Sequence, residues 1–399
     1  MEANDIIDAE GLIVLPGCID TQTHFREPGS TDTEDLNSGS KAAIVGGITA
    51  VFEMPNTNPP TSTKKEFQKK LDLAKNRMYC NYAFYFGATA DNAKDLADLK
   101  NLIGCCGIKL FAGSSTGNLL VADEKDIETV FKNSSKVVAV HSEDEEILNI
   151  NKKLIKDGDV HSHPIWRSVE CAMSSTRRIV RIAEKHSKKA HVLHITTKEE
   201  VDFLSQHKGN ITFEITPQHL TIYAPDCYDK LGTYAQMNPP IRDKSHYDRL
   251  WYAVKNNLND TIGSDHAPHL KVNKDKKYPN SPSGMPGVQT LMPVMLNHVN
   301  DGKLSLNQLI NLVCENPVKI FGIKNKGSIR EGYDADFTIV DMNKKIVIKN
   351  ENIESKCGWS PFNGFEFKGT PVSTIIAGKI KMQDGKIIGD PEGTPLEFS

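Results

Sequence analysis

Residues 137–141 read Val-Val-Ala-Val-His, an apolar run that stops on an imidazole. Four more runs behave alike: Ile-Asp-Thr-Gln-Thr-His (19–24), Gly-Ile-Lys-Leu-Phe (107–111), His-Val-Leu-His (191–194) and Ile-Gly-Ser-Asp-His (262–266). His24, Lys109, His141, His194 and Asp265 therefore fall at the ends of five separate strand-like runs. Parallel strands closed into a barrel bring their ends to one rim, so these scattered residues can meet in one pocket. Imidazoles and carboxylates that converge in this way suit zinc or a similar divalent ion.

Working outward, strand-like and helix-like periods alternate along the chain. Candidate barrel strands are 18–23, 48–54, 82–88, 106–111, 136–141, 190–195, 211–216 and 261–264. Amphipathic runs lie between them at 64–78, 123–133, 165–186, 198–207 and 246–257, and helices at 287–299 and 305–321 lead out. Eight strand-then-helix units predict an α/β fold, a closed (β/α)8 TIM-like barrel. After Asn316-Pro317 the pattern changes to short strands, at 335–341, 345–349 and 372–380, separated by Gly, Asn and Asp turns. These, with a strand or two from 6–14, predict a small accessory β-domain. The expected division is a barrel over 16–325 and a β-sandwich-like unit from 1–15 plus 326–399. Such a barrel takes about 250 residues, which leaves room for the second unit in a chain of 399.

Composition excludes several function classes. A formal net charge of −3 gives no sign of a nucleic-acid or membrane partner. No apolar stretch is long enough to span a bilayer and no signal peptide is evident, so the cytoplasm is the expected compartment. Eight scattered cysteines lack zinc-finger spacing and read as buried free thiols of a reducing compartment.

The strand ends carry the chemistry. Alternation turns residues 20, 22 and 24 toward the barrel axis. Arg26 can reach the same mouth and form a bidentate pair with a substrate carboxylate. Lys109 sits in an apolar strand, where burial disfavours its ammonium. Either an ion pair or addition of carbon dioxide, giving a carbamate able to bridge two metals, would account for it. His191 competes with His194, which is nearer the C-terminal rim where barrel active sites sit. Asp265 at that rim can serve as metal ligand and general base together. His161 and His163, in a polar loop, read as surface histidines, and the basic run around Lys274 reads as a solvated loop.

Seven motifs then occur in order: His-Phe-Arg-Glu-Pro-Gly (24–29), Glu-Met-Pro-Asn-Thr (53–57), Lys-Leu-Phe-Ala-Gly-Ser-Ser-Thr-Gly-Asn (109–118), His-Ser-Glu-Asp (141–144), His-Val-Leu-His-Ile-Thr-Thr-Lys-Glu (191–199), Met-Asn-Pro-Pro-Ile-Arg (237–242) and Ser-Asp-His-Ala-Pro-His (264–269). Together they resemble the amidohydrolase superfamily and, within it, the longer dihydroorotases related to allantoinases and hydantoinases. The resemblance runs from about residue 10 to the C-terminus.

It implies a zinc site of one or two ions on His24, Lys109 as its carbamate, His141, His194 and Asp265, with Asp265 catalytic. It implies substrate contacts from Arg26, Asn56, Asn238, His269, Ser283 and Gly284, and a lid near Ser115 and Thr116. The implied reaction interconverts dihydroorotate and N-carbamoyl-L-aspartate in pyrimidine synthesis. An allantoinase- or hydantoinase-type cyclic amidase and a non-catalytic scaffold for aspartate transcarbamoylase are the alternatives. A small-molecule substrate, a homodimer and association with that transcarbamoylase are the partners implied. The chain departs from the family pattern at Gln22, where relatives carry a second histidine, and at Pro-Gln-His (217–219) in place of Pro-His-His. Its N-terminus is also short by several strands, so the expectation is either a reduced accessory β-domain or an incomplete chain.

Overall fold

The computed structural model describes residues 6–115, 117 and 119–399. The chain enters through β1 (Ile13–Pro16) and then lays down eight parallel strands in sequence order. These are β2 (Cys18–Thr23), β3 (Ile48–Glu53), β4 (Asn81–Gly87), β5 (Cys105–Phe111), β6 (Val138–His141), β7 (Ala190–Val192), β8 (Ile211–Ile215) and β9 (Thr261–Ile262). The seam between first and last closes beyond β9. Thr23 bridges His266 in parallel, and the His24 amide donates to the His266 carbonyl at 2.7 Å. A barrel results, as the alternation of strand and helix predicts.

Side-chain alternation sorts the strands into two cores. Along β4, Tyr82, Phe84 and Phe86 join the layer between sheet and helices, whereas Ala83 and Tyr85 join the barrel interior. That interior cluster also holds Ile19, Ala50, Phe52 and Phe321, with Phe52 meeting Phe321 edge-on at 5.0 Å. Aromatic edges of this kind add about 0.5–1.5 kcal/mol to the burial itself. The chain's tail also reaches the barrel, since Leu396 belongs to the interior cluster and its amide donates to the Tyr82 carbonyl.

Helix boundaries follow local caps. The run expected over 165–186 is two helices, His163–Trp166 and Val169–Lys185. Ser168 starts the second by accepting the Cys171 amide, as N-cap residues do. The expected helix at 305–321 bends through a π-type turn at Asn311–Glu315. A helix at Leu36–Val45, capped by Asp35, lies where no helix was expected. No helix among the described residues is long and apolar enough to cross a membrane.

The remaining strands, β10 (Phe337–Val347), β11 (Glu366–Ile376), β12 (Lys379–Gln383) and β13 (Lys386–Ile387), form an antiparallel sheet in the order β1-β10-β11-β12-β13. Among the described residues these five strands form one sheet, apart from the barrel strands. Helices pack against it: Thr374 Oγ1 donates to the Ile44 carbonyl, and Asn300 Nδ2 to that of Lys368. All eight cysteines are buried and free, as expected.

Candidate active site

The barrel rim gathers the residues that the strand ends place there. His24 follows β2, with Nδ1 2.8 Å from Asn56 Oδ1 and Nε2 3.3 Å from Asp265 Oδ1. Gln22, one pleat earlier on the same side, donates Nε2 to the same Asp265 oxygen at 2.8 Å. Its own Oε1 is buried without a hydrogen-bond partner. Across the pocket, His141 Nδ1 and His194 Nε2 face each other at 3.1 Å.

Lys109 points into the same cavity because β5 is irregular. Phe84 pairs with Cys105 but Tyr85 pairs with Gly107, so one residue slips and the inward parity changes. Its ammonium lies 4.6 Å from the Phe111 ring centre. His191, the competitor of His194, sits deeper in the barrel, where its ring nitrogens meet Thr212 Oγ1 at 2.8 Å and Thr261 Oγ1 at 3.2 Å.

One cavity of about 360 Å³, counting its open mouth, is lined by His24, Arg26, Asn56, Lys109, Ser115, His141, His194, Asn238, Asp265, Ser283 and Gly284. Phe111 and Ala267, not anticipated from sequence, complete its wall. His269 lines the adjoining mouth with Arg26 and Asn56. Thr116 lies outside the described residues.

Arg26 Nε donates to the Pro268 carbonyl at 3.2 Å, and Nη2 lies 3.4 Å from His269 Nε2. That His269 nitrogen is 2.9 Å from the Ser283 carbonyl, so it carries the proton and faces Arg26 as a second donor. Arg26, His194 and Asp265 hold positive φ angles of 60°, 39° and 44°. Such backbone costs on the order of 1–3 kcal/mol each and persists where the surroundings over-determine it.

Burial dominates the electrostatics. It lowers the pKa of His24, His141 and His194, so all three are neutral near pH 7, the form that binds metal. Burial also pulls Lys109 down to about 7, against the attraction of Asp265 and Glu214. Asp265 is pushed up to about 8 by burial, with Lys109 opposing. Among the described residues no three His, Cys, Asp or Glu side chains converge as a ligand set. The donors form two pairs, His24 with Asp265 and His141 with His194, and Lys109 lines the cavity with both. A carboxylated Lys109 would add the oxygen donors needed to join them, and its depressed pKa supplies the free amine. The residues fit a divalent metal on that condition.

Two readings of the sequence need correction. His163 is fully buried, with Nε2 3.0 Å from the Met237 carbonyl and 3.1 Å from Asn238 Oδ1, because a short turn at Val160–Ser162 carries it inward. His161 stays at the surface beside Asp229. Lys274 is also fully buried. Its ammonium donates to the carbonyls of Gln236, Pro282 and Gly284 and so braces the wall that carries Ser283. Clustered lysines in polar sequence read as solvated, and only the fold reveals the carbonyl cradle. Glu143, which takes His141 Nε2 at 2.8 Å, was likewise missed, although it stands two residues after the histidine.

The model of the amidohydrolase family matches residues 13–381. The chain belongs to the amidohydrolase family. The dihydroorotase of Pyrococcus furiosus is 35% identical over 385 residues, 96% of this chain and 85% of that protein. That of Methanosphaera stadtmanae is 33% identical, covering 97% of this chain and 89% of its own length. Among solved structures, the L-hydantoinase (dihydropyrimidinase) of Arthrobacter aurescens superposes with a TM-score of 0.94 at 29% identity. It matches 99% of this chain and 90% of that one. As an amidohydrolase of this group the protein is an enzyme, a cyclic amidase.

Proposed function

We propose that this amidohydrolase interconverts dihydroorotate and N-carbamoyl-L-aspartate in pyrimidine synthesis, with zinc as its metal. One observation carries the reading beyond a general cyclic amidase. Arg26 is buried beside the cavity and, among the described residues, has no carboxylate within 4.0 Å of its guanidinium. A buried unpaired cation calls for an anionic ligand, and a guanidinium matches a carboxylate in geometry. Burial lowers its pKa only to about 10, so the charge persists at neutral pH. The ring carboxylate of dihydroorotate is such a ligand, with Asn56 and His269 beside it as further polar partners.

His24, Lys109 as its carbamate, His141, His194 and Asp265 would hold one or two zinc ions. Zinc bound there supplies Lewis-acid polarisation of the ring carbonyl and a more acidic water. The chain's residues do the rest. Arg26, Asn56, His269 and Asn238 orient the ring, which removes orientational freedom before reaction. Water oxygen bonds to the ring carbonyl carbon while the carbonyl carbon–ring nitrogen bond breaks. Asp265, ionised where neighbouring positive charge offsets the burial that raises its pKa, takes the water proton on its carboxylate and delivers it to the departing nitrogen. Ring closure reverses each step. Eight buried thiols support a cytoplasmic setting, and a homodimer is expected in sedimentation.

The resemblance to hydantoinase structures supports a second reading, hydrolysis of uncharged cyclic ureides. Turnover of dihydroorotate, hydantoin and allantoin by zinc-loaded protein separates them. Dihydroorotate is expected to be far the best substrate, and preference for hydantoin would overturn the assignment. No turnover, with zinc absent and aspartate transcarbamoylase co-purifying, would support the scaffold.

A further inference from the structure

Beyond the rim, a buried chain of charges joins one imidazole of the pocket to the loop after β5. Glu143 Oε2 lies 2.8 Å from His141 Nε2, the nitrogen that faces away from His194. The same oxygen accepts Arg167 Nη1 at 3.0 Å. Arg167 also donates to the Ser114 carbonyl, with both terminal nitrogens aimed at it. Arg167 and Glu143 are almost wholly excluded from solvent, and the guanidinium lies 4.9 Å from the Trp166 ring centre. Their pairing is thus desolvated and geometrically fixed, unlike the surface pairs of this protein.

The loop is also held by the segment that follows β6. Glu145 accepts the Ser114 amide at 2.6 Å and the Ser114 hydroxyl at 2.8 Å. Gly113 lies so close that a Cβ there would stand 2.4 Å from the Glu143 carbonyl oxygen. No larger residue fits without moving the loop. Ser115, the next residue, lines the pocket, and its hydroxyl is 3.5 Å from Asn238 Nδ2.

We propose that Arg167 is a positioning residue that ties the seat of residues 113–115 to the orientation of His141 through Glu143. This rests on the proposed metal site. A guanidinium has donors enough to serve both partners at once, whereas an ammonium has no planar fork. His141 held by its outer nitrogen presents the inner one to the pocket, and outer partners of this kind tune metal affinity. If one cation serves both, zinc on His141 and order in the loop favour each other, and linkage makes the effect reciprocal.

The test combines zinc affinity, by competition with a chelator, with amide hydrogen exchange at Ser114 and Ser115. In the unaltered protein, stripping zinc is expected to speed exchange at those amides by about 10-fold or more. Arg167→Met is expected to weaken zinc binding by about 10- to 100-fold and to leave exchange fast with or without zinc. Arg167→Lys keeps a charge beside Glu143, so it should restore most of the zinc affinity and little of the loop protection. In Arg167→Lys a purely structural role would move both readouts together or neither. A folded Arg167→Met protein with unaltered zinc affinity overturns the proposal. So does unaltered loop exchange when zinc is stripped from the natural sequence, a result that needs no variant to fold. If the natural sequence binds no zinc, the metal site falls too, and that is seen before any variant is made.

Discussion

On one wall of the pocket His24 shares Asp265 with the amide of Gln22, and on the other His141 and His194 face each other. Strand order places β2 and β6 four positions apart in an eight-stranded ring, so the walls stand opposite. The first wall has one imidazole, one carboxylate and a neutral amide. The second has two neutral imidazoles, one of them backed by Glu143, whose carboxyl is held near 2 by Arg167 and His141 despite burial. An amide is a weaker zinc donor than an imidazole. Under the proposed function the first wall moves a proton and the second grips a metal, so two ions would be held there with unequal affinity.

Five substitutions break or sharpen that contrast. Asp265→Asn removes the proton carrier of the first wall, and turnover should fall by about 10³-fold with folding intact. Near-normal turnover would show that the proton moves elsewhere. His194→Ala strips the second wall, and zinc affinity should fall by more than the about 10- to 100-fold typical of an outer partner. Metal analysis after dialysis checks it, and His24→Ala should lose less; equal losses would erase the contrast.

Arg26→Met should raise KM for dihydroorotate by about 10- to 100-fold, as expected for losing about 1.5–3 kcal/mol of hydrogen bonding to a charged group. Its kcat should change far less, and hydantoin should not be affected; a KM that stays put would remove Arg26 from substrate binding. The smallest effect belongs to Gln22→His. A second imidazole on the first wall should raise zinc stoichiometry or tighten the weaker ion several-fold, read by titration. No change would mean that Gln22 serves Asp265 alone.

Much of this site was legible because strand ends are legible. Val-Val-Ala-Val-His is apolar until its last residue, and that pattern alone locates His141 on the rim. The supporting groups were not legible for the opposite reason. Lys274 and His163 lie in polar, turn-rich sequence that resembles solvated loop, yet Lys274 is buried against the carbonyls of Gln236, Pro282 and Gly284, and His163 against that of Met237. Arg167 was read as part of a continuous helix, whereas it stands at the break between two.

The sequence by itself determined the order of strands and helices, the barrel that follows from it, and the strand-end residues, because periodicity and caps are local. It determined membership of the amidohydrolase family as well, through seven motifs in order. Only the tertiary structure decided that Lys109 faces inward, since a slip in pairing between β4 and β5 sets its parity. Only it placed Gln22 and His24 on one oxygen of Asp265, a contact across 243 positions for Gln22. Such contacts depend on where the barrel closes, and closure is a property of all eight strands together, not of any one.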